Sequence, residues 1–139
     1  MPCLLNIRGP NLDLDIALAL VSFTPYATHR RGEAMRRKPR QNHEDSGFKV
    51  EVSALWDDLQ QQCRDAEGFL LRHSEELRLI EGADSLDLDF AYDSRIGIGE
   101  EWEEVVVQCD YIPASLVKIC GELSVGIALT QFASRSAAP

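Results

Sequence analysis

Three aspartates on one short segment, Asp87, Asp89 and Asp93, are the first residues whose type and spacing could do chemistry. Alternate side chains of a strand point the same way, so Asp87 and Asp89 lie about 7 Å apart along it. Such a pair could hold Ca²⁺ or Mg²⁺ through hard oxygen ligands, or divide into an acid and a base. The residues that alternate with them on the other face, Leu86, Leu88, Phe90 and Tyr92, are uniformly apolar. A half-covered sheet with one wet face requires that same pattern, so no metal or cofactor is expected from it.

The second cluster is basic. Arg30, Arg31, Arg36, Arg37, Lys38 and Arg40 place six cations within eleven residues. They could grip phosphates or an acidic partner. No aromatic residue interleaves them for base stacking, and Tyr26 lies upstream. A solvated loop is the first reading, docking on the chain's own acidic surface or on a protein the second, and nucleic acid the last.

Other patterns carry less. His29, His43 and His73 are far apart in sequence, and no cysteine among Cys3, Cys63, Cys109 and Cys120 has a zinc-ligand spacing. Cys3 and Cys109 fall on apolar strand positions, Cys63 and Cys120 on helices, and all four are expected as free thiols. Gly97 and Gly99 form the one Gly-x-Gly, but Trp102 stands where a dinucleotide fingerprint needs its third glycine. No nucleophile sits in a recognisable elbow.

The chain has 139 residues and a formal net charge of -9. One domain over 1–133 with a frayed tail over 134–139 fits that length. Residues 1–50 carry eight Lys/Arg against five Asp/Glu, whereas residues 51–110 carry four against seventeen. So acidic a surface repels nucleic acid and attracts basic partners. The longest apolar run, over 16–21, is far short of the roughly 20 residues of a membrane span. The N-terminus lacks the features of a signal peptide, so a cytoplasmic location is expected, with no membrane partner.

Hydrophobic periodicity supplies the elements that would position these residues. Cys3, Leu5 and Ile7 alternate as a strand, followed by a turn and a helix over 13–23 with Leu12, Ile16, Leu20 and Phe23 as its stripe. A short edge strand over 26–31 leads into a polar, basic loop over 32–46 without periodicity. Residues 48–52 alternate as a strand. Trp56, Leu59, Cys63, Ala66, Leu70, His73, Leu77 and Ile80 share one helical face, and two helices over 57–72 and 75–81 are expected, bent near His73. A strand over 86–92, a loop over 93–103 and a strand through Val105, Val107, Cys109 and Tyr111 follow. Pro113 opens a helix to about Leu123, and 127–132 is the last strand. The expected fold is α+β: a mainly antiparallel sheet of about five to six strands, with two to four helices packed on one face.

The pieces Leu5-Asn6-Ile7-Arg8-Gly9, Leu12-Asp13, Thr24-Pro25, His29-Arg30-Arg31-Gly32-Glu33, Gly47-Phe48, Pro113-Ala114-Ser115-Leu116 and Gly126-Ile127-Ala128-Leu129 carry a resemblance. Over roughly residues 3–132 the chain resembles the bacterial domain-of-unknown-function family numbered 4279. The resemblance implies a compact α+β domain and transfers no catalytic residue.

The first functional expectation is a non-enzymatic protein-interaction module, analogous to an immunity protein that occludes a basic partner. The second is a small-molecule-binding domain or enzyme with its pocket at the acidic strand face or the 93–103 loop. The candidate binding residues are Asp87, Asp89, Asp93, Arg30, Arg31, Arg36 and Arg37. A homo-oligomer is compatible with either expectation.

Overall fold

Alternation buries every second residue of β1 (Cys3–Gly9), and Cys3, Leu5 and Ile7 are excluded from water. The computed structural model describes residues 2–97 and 107–133. After β1 come α1 (Leu14–Leu20), β2 (Ala27–His29), β3 (Ser46–Ser53), α2 (Leu59–Arg72), α3 (Ser74–Leu79), β4 (Ser85–Asp93), α4 (Ala114–Leu123) and β5 (Gly126–Phe132). The strands lie in the order β2-β3-β1-β4-β5. β1 runs antiparallel to both β3 and β4, and β2 antiparallel to β3. β5 runs parallel to β4, the one parallel pair in a sheet that is otherwise antiparallel, as expected. Parallel neighbours need a crossover, and the connection bearing α4 supplies it. The result is a mixed, mostly antiparallel α+β sheet.

The helices are phased by their caps. Asp13 accepts a hydrogen bond from the Ile16 amide at 3.2 Å and starts α1 there. Leu14 and Ala17 then face the core, while Ile16 (61% exposed) and Leu20 face out, contrary to the expected stripe. The chain turns extended at Val21, so Phe23 leaves the helix and packs its ring against Phe48 and Phe69. Asp58 caps α2 by accepting from the Gln61 amide at 3.0 Å. Asp57 just before it is left-handed, with φ 60°. This keeps Trp56 off the helix. Expected in the core, Trp56 is instead exposed, with its indole N–H donating to Asp93 and its ring against Phe132. The rest of the long stripe holds. Cys63, Ala66, Leu70 and Leu77 are buried, Leu59 and Ile80 pack against the core, and the helix breaks at His73.

One further expectation changes. Residues 107–111 form no strand, and Cys109 is exposed. That segment is held by side chains: Asp110 accepts from the Tyr92 hydroxyl at 2.8 Å and from Gln131 at 2.8 Å. Val105, Gly99, Trp102 and the tail over 134–139 lie outside the described residues. The loop over 32–46 holds no helix or strand before Ser46, as expected, and contains one isolated bridge between Ala34 and Asn42. All four cysteines are free, three of them buried. Burial pushes the Cys63 and Cys120 thiols up to about 11, and Cys3 higher still. No helix among the described residues is long and apolar enough to cross a membrane.

Leu70 is wholly buried between the helices and the sheet. Leu70→Ala should destabilise the fold by about 2–5 kcal/mol in urea unfolding, through lost burial and a residual cavity.

The end of α1 is tied to α3 through Glu76. Its carboxylate accepts from the Ser22 hydroxyl at 2.6 Å and the Ser22 amide at 3.1 Å, and meets His73 Nδ1 at 3.1 Å. The Ser22 hydroxyl first, then its amide, hold this carboxyl below the usual carboxylate range. A carboxyl lowered on folding stabilises the native state above its unfolded pKa, and that contribution disappears as pH falls through the folded value. Ser22→Ala should raise the Glu76 pKa in an NMR titration. The stability gap between wild type and variant should narrow on acidification.

Candidate functional site

Among the described residues, the four helices bury one face of the sheet and leave the other without a helical cover. On that second face the register sets side chains in rows across the strands. Asn6 of β1 stands opposite Lys49 of β3 and Asp87 of β4. His29 of β2 stands opposite Gly47, and Asp87 opposite Gly126. Gly47 is required there, since a Cβ would collide with the Ile7 carbonyl, whereas a Cβ at Gly126 would displace only a side chain. A Cβ on Gly47 would come within 2.8 Å of His29 Cε1, and one on Gly126 would collide with the Asp87 carboxylate. A polar side chain therefore lies over each glycine.

The chain between β2 and β3 folds back over this face. Gly32 takes a left-handed φ of 88°. Its amide donates to the His43 carbonyl at 2.9 Å, and the His43 amide donates to Glu33 at 2.8 Å. Met35 donates to Gln41, and Ala34 bridges Asn42 in antiparallel fashion. The Arg31 amide donates to the Ser46 hydroxyl at 2.9 Å. These bonds give the basic loop, which has no regular strand or helix of its own, the course of an irregular hairpin. Polar residues without period still form a hairpin when their backbone groups pair.

Between hairpin and sheet lies a cleft of about 870 Å³. Asn6, Arg8, Lys49 and Asp87 line it from the sheet, and His43 and Asp45 from the hairpin's return. His29 closes one wall. Its Nε2 lies 2.8 Å from Asp45 Oδ1, and its ring stacks on His43 with centroids 4.4 Å apart. Asn6 Oδ1 is buried without a hydrogen-bond partner among the described residues, an orphaned acceptor beside the cleft.

The candidate residues read from the sequence are thereby separated. Asp87 lines the cleft and accepts from Ser85 at 2.5 Å. Asp89 accepts from Thr130 at 2.6 Å, and Asp93 from Trp56 at 3.0 Å. All three are part-buried, so the acidic row is engaged within the fold and is not a free solvated edge. Arg30 forms a bidentate pair with Asp15, at 2.7 and 3.2 Å, and Arg31 donates to the Pro10 carbonyl. The Arg30 guanidinium holds the Asp15 carboxyl below its ordinary range, by hydrogen bonding first and charge second. Arg36 and Arg37, with Lys38 and Arg40, sit exposed at the hairpin tip with no ion pair among the described residues.

Sequence reading missed His29, His43, Asp45, Asn6, Arg8 and Lys49. His43 and Asp45 stand two positions apart just before a strand, but the chain bends at Glu44 and Asp45, so strand alternation alone does not bring them together. Ser22, His73 and Glu76 assemble from distant positions too, but not as a catalytic triad. Ser22 Oγ and Glu76 meet the same imidazole nitrogen, Nδ1, and Ser22 donates its proton to Glu76. A triad needs the nucleophile and the orienting acid on opposite nitrogens.

Comparison with protein-family models, with curated proteins and with solved structures finds no match to this chain.

Proposed function

We propose that this chain is a non-enzymatic binding module whose working site is the cleft between the uncovered sheet face and the 30–45 hairpin. The observation that carries the reading is the cross-strand row Lys49, Asn6, Asp87 on the cleft floor. It runs from cation through an unpartnered acceptor to anion, and neighbouring strands lie about 4.8 Å apart. A small polar molecule with an anionic group and a donor or cationic group, such as an amino acid, suits that gradient. Arg8 adds a second cation to the floor. Lys49, Arg8 and Asn6 would orient the ligand, and no activated nucleophile takes part. Membership of the family numbered 4279 and a cytoplasmic location belong to the same proposal, the latter supported by four free thiols.

A protein-interaction reading retains one specific support. Arg36, Arg37, Lys38 and Arg40 project from the hairpin tip unpaired among the described residues, a patch suited to an acidic protein. A basic partner would need Asp87, Asp89 and Asp93, whose carboxylates already accept hydrogen bonds inside the fold.

Thermal shift against a panel of amino acids, dicarboxylates and phosphates tests the cleft. Amphoteric compounds should raise the melting temperature most, since a ligand at 100 times its Kd stabilises by about 2.7 kcal/mol. Lys49→Ala and Asp87→Asn should each abolish the shift, and Arg36→Ala with Arg37→Ala should leave it intact. No stabilising compound, or a shift that survives both cleft variants, would contradict the reading.

A further inference from the structure

We propose that His29, His43 and Asp45 form a binding site for one divalent transition-metal ion of the zinc class, with a coordination position open to the cleft. This goes beyond the small-molecule reading and does not depend on it.

Each of the three residues offers one ligand atom, and the three atoms all lie within 4.8 Å of one another. No other group of three His, Cys, Asp or Glu side chains among the described residues comes together in this way. Zinc bonds of about 2.0–2.2 Å at tetrahedral angles put ligand atoms about 3.4 Å apart. Atoms at the 4.8 Å limit would have to close by about 1.4 Å, and His29 Nε2 and Asp45 Oδ1, at 2.8 Å, would have to open by about 0.6 Å, both by rotation of the side chains. His29 Nε2 and Asp45 Oδ1 are already within 2.8 Å, so an ion entering there exchanges that hydrogen bond for two coordinate bonds.

The scaffold favours the arrangement. His29 stands on a paired strand, held above Gly47 where no Cβ intrudes. His43 is fixed through both its backbone groups, its amide to Glu33 and its carbonyl to Gly32. Asp45 immediately precedes the buried start of β3. All three side chains are part-buried, which limits competition from water without closing access.

The donor set selects the metal. Two imidazoles and a carboxylate suit zinc, cobalt, nickel or copper, whereas Mg²⁺ and Ca²⁺ take shells of oxygen. Three protein ligands leave a fourth position, as in open zinc sites. The three residues line the cleft, so that position faces the space where a polar ligand would sit.

The test uses the full chain stripped of metal with a chelator, and the metal ions alone as probes. Calorimetric titration with ZnCl₂ should give one ion per chain. Cobalt(II) should give visible bands of nitrogen and oxygen ligation without a thiolate charge-transfer band. His43→Ala and Asp45→Asn should each weaken zinc binding by at least about 10-fold, the least that even loss of an outer-shell partner costs. Cys109→Ser, which removes the exposed thiol, should change nothing. Melting in chelator checks that each variant folds, and His29→Ala gives a third reading of the same claim. Wild-type zinc affinity in His43→Ala and Asp45→Asn would overturn the proposal, even if their metal-free melting temperatures fall, because the cluster would then be a structural tie. So would absence of binding at millimolar zinc, or binding abolished by Cys109→Ser. None of these outcomes bears on the organic-ligand screen, so the two readings fail separately.

Discussion

The pairing of β1 between β3 and β4 is the constraint on which the rest depends. Its odd-numbered residues, Cys3, Leu5 and Ile7, complete the core under the helices. Its even-numbered residues, Asn6 and Arg8, are thereby sent to the opposite side, where they line the cleft. A slip of one residue would exchange the two sets, burying an arginine and exposing an isoleucine. One register thus determines both the stability of the fold and the chemistry of its open face. Gly9 protects that register at the strand's end, where a Cβ would collide with the Gly82 carbonyl and block the close approach of the turn before β4.

Packing all helices on one side creates a second requirement. An open sheet face must be wetted or covered, because its strands carry polar and apolar side chains in alternation. Here the 30–45 hairpin gives partial cover. It is anchored near its base by the pair of Arg30 with Asp15 in the first turn of α1 and by Arg31 to Pro10 in the turn before that helix. These contacts are exposed and screened by solvent, so the backbone bonds of Gly32, His43 and Met35 set the hairpin's shape. The cationic run has therefore two parts. Its first two arginines fasten the hairpin, and its last four cations face away from the cleft.

Much of the fold was legible in the sequence because its cause is local. Period-two alternation located β1, β3 and β4, and the 3-4 spacing from Leu59 to Ile80 located α2, α3 and the break at His73. Where sequence reasoning failed, a single backbone choice or a distant contact intervened. Asp57 adopts a left-handed conformation and removes Trp56 from a stripe it otherwise fits. The Asp13 cap sets the phase of α1 and turns Ile16 outward. Val107 to Tyr111 has strand-like alternation, but its described residues are held by Asp110, Tyr92 and Gln131 without joining the sheet. The site was the least legible part. His29 and His43 are fourteen positions apart in sequence. They meet only because the intervening chain closes as a hairpin, a tertiary fact that hydrophobic period does not encode.

The most direct test of this account asks whether the hairpin folds onto the sheet in solution. A two-dimensional nuclear Overhauser spectrum, read with amide hydrogen exchange, measures it. A folded hairpin gives a cross-peak between the ring protons of His29 and His43, whose rings stack 4.4 Å apart, and slowed exchange at the Gly32 and His43 amides. No cross-peak, with both amides exchanging at the rate of an unstructured chain, would contradict it: the cleft would lose its wall.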